Sequence, residues 1–184
     1  MLRKIAATIA ILTLLAITAV VVYAETASVT IIGGVLSMTP ADVTLSGVTL
    51  NGTDQLSTSA AGTNNWSASD GRGTGAGWNL TIDSTDFADG TKTIDISSAD
   101  REFKIQLLDA NIGVTAGNSP PTSSATSLTA IPEGPAPALK FASAALNQGM
   151  GSYTINPNFE LEVPAEILAG SYAATITISA VSGP

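Results

Sequence analysis

The side chains that could do chemistry are few, and their densest group is acidic. Asp83, Asp86 and Asp89 recur at every third position and are followed by Gly90. Calcium takes several oxygen ligands, and clustered aspartates beside a glycine are a workable source. The spacing departs from the EF-hand loop, so this reading competes with an ordinary turn whose aspartates face water. Asp95, Asp100 and Glu102 would add oxygens if neighbouring strands brought them alongside. Covalent catalysis has less to work with. The chain has no His and no Cys, which removes Ser-His-Asp and Cys-His nucleophiles, the usual zinc ligands, thiol redox chemistry and a disulfide scaffold. Glycoside hydrolysis needs two carboxylates at a fixed separation in a cleft. Among 15 acidic residues some such pair is inevitable, so the pattern has no specificity. The glycine-rich run Gly71–Gly77 is no phosphate loop, because it lacks the Gly-Lys-Ser/Thr end and precedes a strand rather than a helix. The residues read as those of a noncatalytic protein.

Recognition by aromatic stacking is the other chemistry on offer. Only 5% of the residues are aromatic. Trp66 and Trp78 flank the glycine-rich turn Asp70-Gly-Arg-Gly-Thr-Gly-Ala-Gly77, and Tyr153 follows a second one, Gly149-Met-Gly151. Two readings stand for these rings. They anchor a β core, since large aromatics dominate burial, or they stack on a sugar or a partner chain at the surface. Asn, Asp and Thr side chains would then supply hydrogen bonds. Asn51-Gly-Thr, Asn65-Trp-Ser and Asn79-Leu-Thr are glycosylation sequons, of consequence only in a host that glycosylates its exported proteins.

The elements that must position these residues are strands. Trp78, Leu80 and Ile82 share one face, with Asn79, Thr81 and Asp83 on the other. This period of two marks a half-buried strand. The same alternation places Ile94 and Ile96, then Phe103, Ile105 and Leu107, then Phe159, Leu161 and Val163 inward. In the last strand Tyr172, Ala174, Ile176, Ile178 and Ala180 share a face. Val43 and Leu45 are in one phase and Val48 and Leu50 in the other, so an extra residue at Ser46-Gly47 would keep one apolar face. Thr115–Pro137 is built of Ser, Thr, Pro, Gly and Ala and reads as a long exposed loop. No charge falls on the inward positions. Eight to ten short strands joined by Gly, Asn and Pro turns predict an all-β chain, a two-sheet antiparallel β-sandwich of Ig-like or Greek-key type over residues 25–184.

The N-terminus is different in kind. Met1-Leu-Arg-Lys4 is basic, Ile5–Val22 carries no charge, and Val22-Tyr-Ala24 ends in a small residue before Glu25. That is the pattern of a secretory signal peptide over residues 1–24. Its apolar stretch is also long enough for an uncleaved membrane anchor. The chain carries a formal net charge of −8, which becomes −10 when Arg3 and Lys4 leave with the leader. Such a domain repels nucleic acid and anionic lipid. It suits a secreted or cell-surface protein, or one that binds cations.

Asp70-Gly71-Arg72-Gly73, the glycine-rich turn and Trp78-Asn79-Leu80 together resemble the first signature of the WxL-domain surface proteins. Phe87, the Gly149–Tyr153 turn, Val163-Pro164-Ala165, Gly170-Ser171-Tyr172 and a final Thr-rich strand follow in the family's order. The family's second Trp-x-Leu, in the last strand, is replaced here by Ile176-Thr177-Ile178-Ser179, so only Trp78 and Leu80 carry over. The resemblance implies an exported protein of Gram-positive type held noncovalently to the cell wall through peptidoglycan. The site residues it suggests together with the aromatic reading are Trp66, Trp78, Leu80 and Tyr153. The partners are then cell-wall glycan or other surface proteins. A second expectation is a structural subunit of an extracellular filament or surface layer. The apolar, β-prone segment Ala27–Ile32 would pair with a sheet edge of the next subunit, or else serve as the first strand of its own sandwich.

Overall fold

A computed structural model describes residues 25–134 and 137–184. The expected leader at 1–24 lies outside the described residues. Over the rest, alternating sequences become strands. They are β1 (Leu36–Thr39), β2 (Gln55–Thr58), β3 (Trp66–Asp70), β4 (Trp78–Ser84), β5 (Phe87–Asp89), β6 (Lys92–Ile94), β7 (Phe103–Gln106), β8 (Ile112–Gly117), β9 (Thr122–Ser123), β10 (Thr129–Ala130), β11 (Leu139–Ala144), β12 (Gly151–Ile155), β13 (Asn158–Val163) and β14 (Ile176–Ser182). A single 3-10 turn spans Asp109–Asn111 among the described residues.

The chain is the all-β antiparallel sandwich that its alternation predicts. Hydrogen bonding groups the strands as β1-β3-β12-β8, β10-β7-β13-β2 and β14-β4-β11-β9, with β5-β6 as a separate hairpin. Every one of these strand pairs is antiparallel. The inner faces share one core. Trp66 meets Phe141 edge-on at 6.2 Å and Phe159 at 5.5 Å; Phe159 stacks on Phe103 at 5.5 Å, and Phe103 meets Phe87 at 5.0 Å. Ring pairs at these spacings add to the burial term.

Three stretches depart from the alternation reading. Ser28–Ile32 forms no strand, and the first one begins at Leu36. Val43–Leu50 makes only one isolated bridge, Leu45 to Ser59. The phase change at Ser46-Gly47 is nevertheless present: Val43, Leu45 and Val48 lean inward while Ser46 and Gly47 both face out. Thr115–Pro137, read as an open loop, carries the end of β8 and all of β9 and β10, and buries Ala125 and Ile131. Backbone bonds hold it there: Leu107 N–H donates to Ala125 O at 2.8 Å and Ile131 N–H to Phe103 O at 2.8 Å.

Candidate functional site

The glycine-rich turn and its tryptophan build a polar lock rather than a binding face. Asp70 ends β3, and Arg72 folds back on it, its Nε 2.8 Å from Asp70 Oδ1 and its Nη2 2.9 Å from Oδ2. The same guanidinium donates to Gly77 O at 2.8 Å and to Ser182 Oγ at 2.5 Å, joining the turn to β14. The hydrogen bonds from Arg72 hold the buried Asp70 carboxyl below the usual carboxylate range. Trp78 donates its indole N–H to Gly149 O at 2.8 Å. Tyr153 lies 6.3 Å from the Trp78 ring and donates its hydroxyl to Met150 O at 3.0 Å. Burial, with the nearby Asp70 charge, pushes the Tyr153 phenol up.

The stacking role expected for these rings is therefore corrected. Trp66 and Tyr153 are 1% exposed, and Trp78 and Leu80 are 0% exposed. No ring face of the three is open to a sugar. Trp66 even turns its indole N–H to a backbone carbonyl, Ala41 O, at 2.9 Å. The period-two reading that placed Trp78 and Leu80 inward is the one the fold follows.

The three aspartates are not brought together. Asp89 lies 3.5 Å from Lys92 Nζ. Asp83 sits on the outer face of β4 opposite Thr177. Asp86 accepts the Ile96 N–H at 3.0 Å and instead gathers with Asp95 and Glu133, one carboxylate oxygen of each lying within 4.8 Å of the others. Hydrogen bonds from Ser97 lower the exposed Asp95 carboxyl's pKa. A cation here would find three carboxylate oxygens, where calcium takes six to eight ligands. Glu133 gave no sequence signal. It arrives through a parallel bridge to Ser84, far away in the chain.

The exposed polar surface is organised elsewhere. On the outer face of the β1-β3-β12-β8 sheet, register aligns Ser37, Ser69, Ser152 and Ala116 in one row and Thr39, Ser67, Thr154 and Gly113 in the next. Six hydroxyls thus stand on three adjacent strands with no charge among them. Ser69 and Ser152 hydroxyls are 3.3 Å apart. At Gly113 a β-carbon would lie 2.4 Å from Thr154 Oγ1, so the glycine keeps that hydroxyl uncovered.

A groove of about 760 Å³ opens between Val43–Leu50 and the segment Ile167–Ala174. Its floor includes the buried Phe87, Ile94, Phe103, Leu161 and Val163, its walls carry the half-buried Leu45, Val48 and Ile176, and among the described residues no charged side chain lines it. Tyr172 turns its hydroxyl to Leu168 O at 2.7 Å.

A family model, that of the WxL domain, described as a surface cell wall-binding domain, matches residues 36–184. Searches of curated proteins and of solved structures give no match.

Proposed function

The chain belongs to the WxL-domain family, a family of surface cell wall-binding domains, and from that premise we propose that it is a noncatalytic, exported domain that holds wall glycan on its hydroxyl face. The observation that carries this reading is the pair of Ser/Thr rows across β1, β3 and β12. Glycan hydroxyls both donate and accept, and so do those of Ser and Thr. An uncharged array of them meets a polysaccharide without desolvating a charge. With Trp66, Trp78 and Tyr153 buried, hydrogen bonding rather than ring stacking supplies the contact. Other surface proteins remain the competing partner class, and the same assay separates the two.

The test is co-sedimentation with purified cell wall. Thr39→Glu and Thr154→Glu, both at exposed positions on this face, are expected to weaken binding by about tenfold, a change of about 1.4 kcal/mol. Thr177→Glu, exposed on the outer face of β14, is expected to bind as the parent does. Equal binding by all three removes the hydroxyl face from the reading. Failure of the parent to sediment with wall, alongside capture by intact cells bearing their surface proteins, moves the partner to protein.

A further inference from the structure

Two features of the chain lie outside the hydroxyl rows. The first is the segment Ala27–Ile32. It forms no strand, and Val29, Ile31 and Ile32 are 83%, 88% and 88% exposed. The segment Ala-Ser-Val-Thr-Ile-Ile carries no charge, and its last four residues are β-branched. A free, uncharged, β-prone run of this kind is a template for pairing with another chain, and proteins ordinarily blunt such runs with charge or proline. Neither is present here.

The second is the groove. Its lining is free of charge in a chain with 15 acidic and 7 basic residues. Its two walls are irregular segments, one of them bent at Ala169–Gly170, and each is bridged to the sheets at one residue, Leu45 and Ala173. Ser46 N–H donates to Thr58 O at 2.9 Å, tying one wall to β2. On the other wall Ala173 exchanges both backbone bonds with Ala88, at 2.9 and 3.0 Å. In an extended segment the groups of neighbouring residues point to opposite sides. Those of Tyr172 and Ala174 therefore point away from β5. β14, which continues this wall, ends its sheet, and among the described residues β4 is its one hydrogen-bonded strand. The groove thus offers half-buried apolar side chains beside a backbone edge that pairs with no strand among the described residues, the two things that strand addition requires.

We propose that this groove receives residues 27–32 of a second copy of the chain. Val29 and Ile31, two residues apart, share one face and lie against the half-buried Leu45, Val48 and Ile176 of the groove's walls; the backbone pairs with the edge at Tyr172–Ile176. Donor and acceptor match in lacking charge, so neither desolvates an ion on joining. A donor segment on one copy and an acceptor groove on the next make a head-to-tail contact, which propagates into a filament unless its rotation closes a ring.

The test is light scattering on residues 25–184 over a concentration series, with variants at exposed positions so that folding is spared. The parent is expected to grow in mass with concentration beyond a dimer. Val29→Asp/Ile31→Asp removes the donor, and Leu168→Arg charges the groove's rim; each is expected to raise the concentration for assembly by about tenfold or more. Mixing the two variants leaves one intact donor and one intact groove, and is expected to give a heterodimer that grows no further. Because the chain has no Cys, Ile31→Cys and Leu168→Cys copies can be mixed and oxidised, with Thr154→Cys as the off-site control. A disulfide that joins the Ile31→Cys copy to the Leu168→Cys copy, and not to the control, supports the proposal. A parent that stays monomeric, variants that assemble like the parent, a mixture without heterodimer, or cross-linking to the control equally would overturn it. Wall co-sedimentation of Val29→Asp/Ile31→Asp is expected to match the parent, so loss of assembly and loss of wall binding are separate results.

Discussion

At the residue scale, Trp78 and Leu80 are core residues in this chain. Trp78 combines a fully buried ring with an indole N–H on Gly149 O. Trp78→Ala is expected to cost about 3–5 kcal/mol of stability, the range for emptying a large aromatic site. Trp78→Phe keeps most of the packing but strands the Gly149 carbonyl, at a cost of about 1–3 kcal/mol. Urea unfolding followed by fluorescence of the remaining Trp66 checks both. Folded Trp78→Phe is expected to sediment with wall as the parent does, an outcome a stacking role would not give. Asp70 supplies a pH dependence whose sign follows from its lowered pKa. Below the unfolded value of about 3.9, the unfolded chain takes up the proton before the folded one. The stabilisation is complete above that pH and is lost as the pH falls through the lower, folded value. The parent is therefore expected to lose stability steeply below about pH 4, and Asp70→Asn to lose less there, while starting about 3 kcal/mol lower at neutral pH because Arg72 is left without its carboxylate. Urea midpoints measured from neutral to acid pH give both slopes.

At the scale of elements, the turns beside Trp78 set the register of the strands they join. Gly149 has φ +68°, and a β-carbon there would lie 2.3 Å from Ala144 Cβ and 2.7 Å from Trp78 Nε1. Gly149→Ala is therefore expected to destabilise by more than the roughly 1–3 kcal/mol of a left-handed backbone alone, read as a fall in melting temperature with a shift in tryptophan emission. Strands with clean alternation, such as β4, β7 and β13, were legible because a sheet with one buried face writes its period into the chain. Trp78, Leu80, Phe103, Ile105, Phe159 and Leu161 lie where that period puts them. What sequence could not show was pairing between distant segments. Glu133 reaches Asp86 only through its bridge to Ser84. The groove exists only because Val43–Leu50 faces Ile167–Ala174. The Ser/Thr/Pro stretch after Thr115 reads as unstructured because Leu128 and Ile131 are its sole large apolar residues. Its backbone N–H and C=O groups nevertheless pair with β7 and β11, and one isoleucine and one alanine suffice to seat it. The hydroxyl face was equally hidden, since outward Ser and Thr become an array only when the register of β1, β3 and β12 lines them up.

At the scale of the whole molecule, the charged side chains lie outside the hydroxyl rows and the groove's lining, with Lys92 reaching Ala169 O at the rim at 2.7 Å. The chain carries a net −8, yet several of its charges are paired with one another. Lys104 sits between Glu102, at 3.1 Å, and Glu162, and Arg101 reaches Glu166 at 2.6 Å. Partly exposed surface pairs of this kind contribute little to stability. Neither the hydroxyl face nor the groove includes a charged side chain. The net negative charge keeps copies apart at long range, while contact at either surface is uncharged. Raising ionic strength from about 0.1 M to 1 M shortens the screening length from about 10 Å to 3 Å. Wall binding through hydrogen bonds at the hydroxyl face is therefore expected to change by less than about twofold over that range. Joining of copies through the groove is expected to strengthen, because repulsion between acidic copies is screened while the apolar contact is kept. Co-sedimentation and light scattering in the same salt series measure the two trends side by side. A steep loss of wall binding with salt would transfer recognition from the hydroxyls to the acidic surface, with a cationic wall component as its partner.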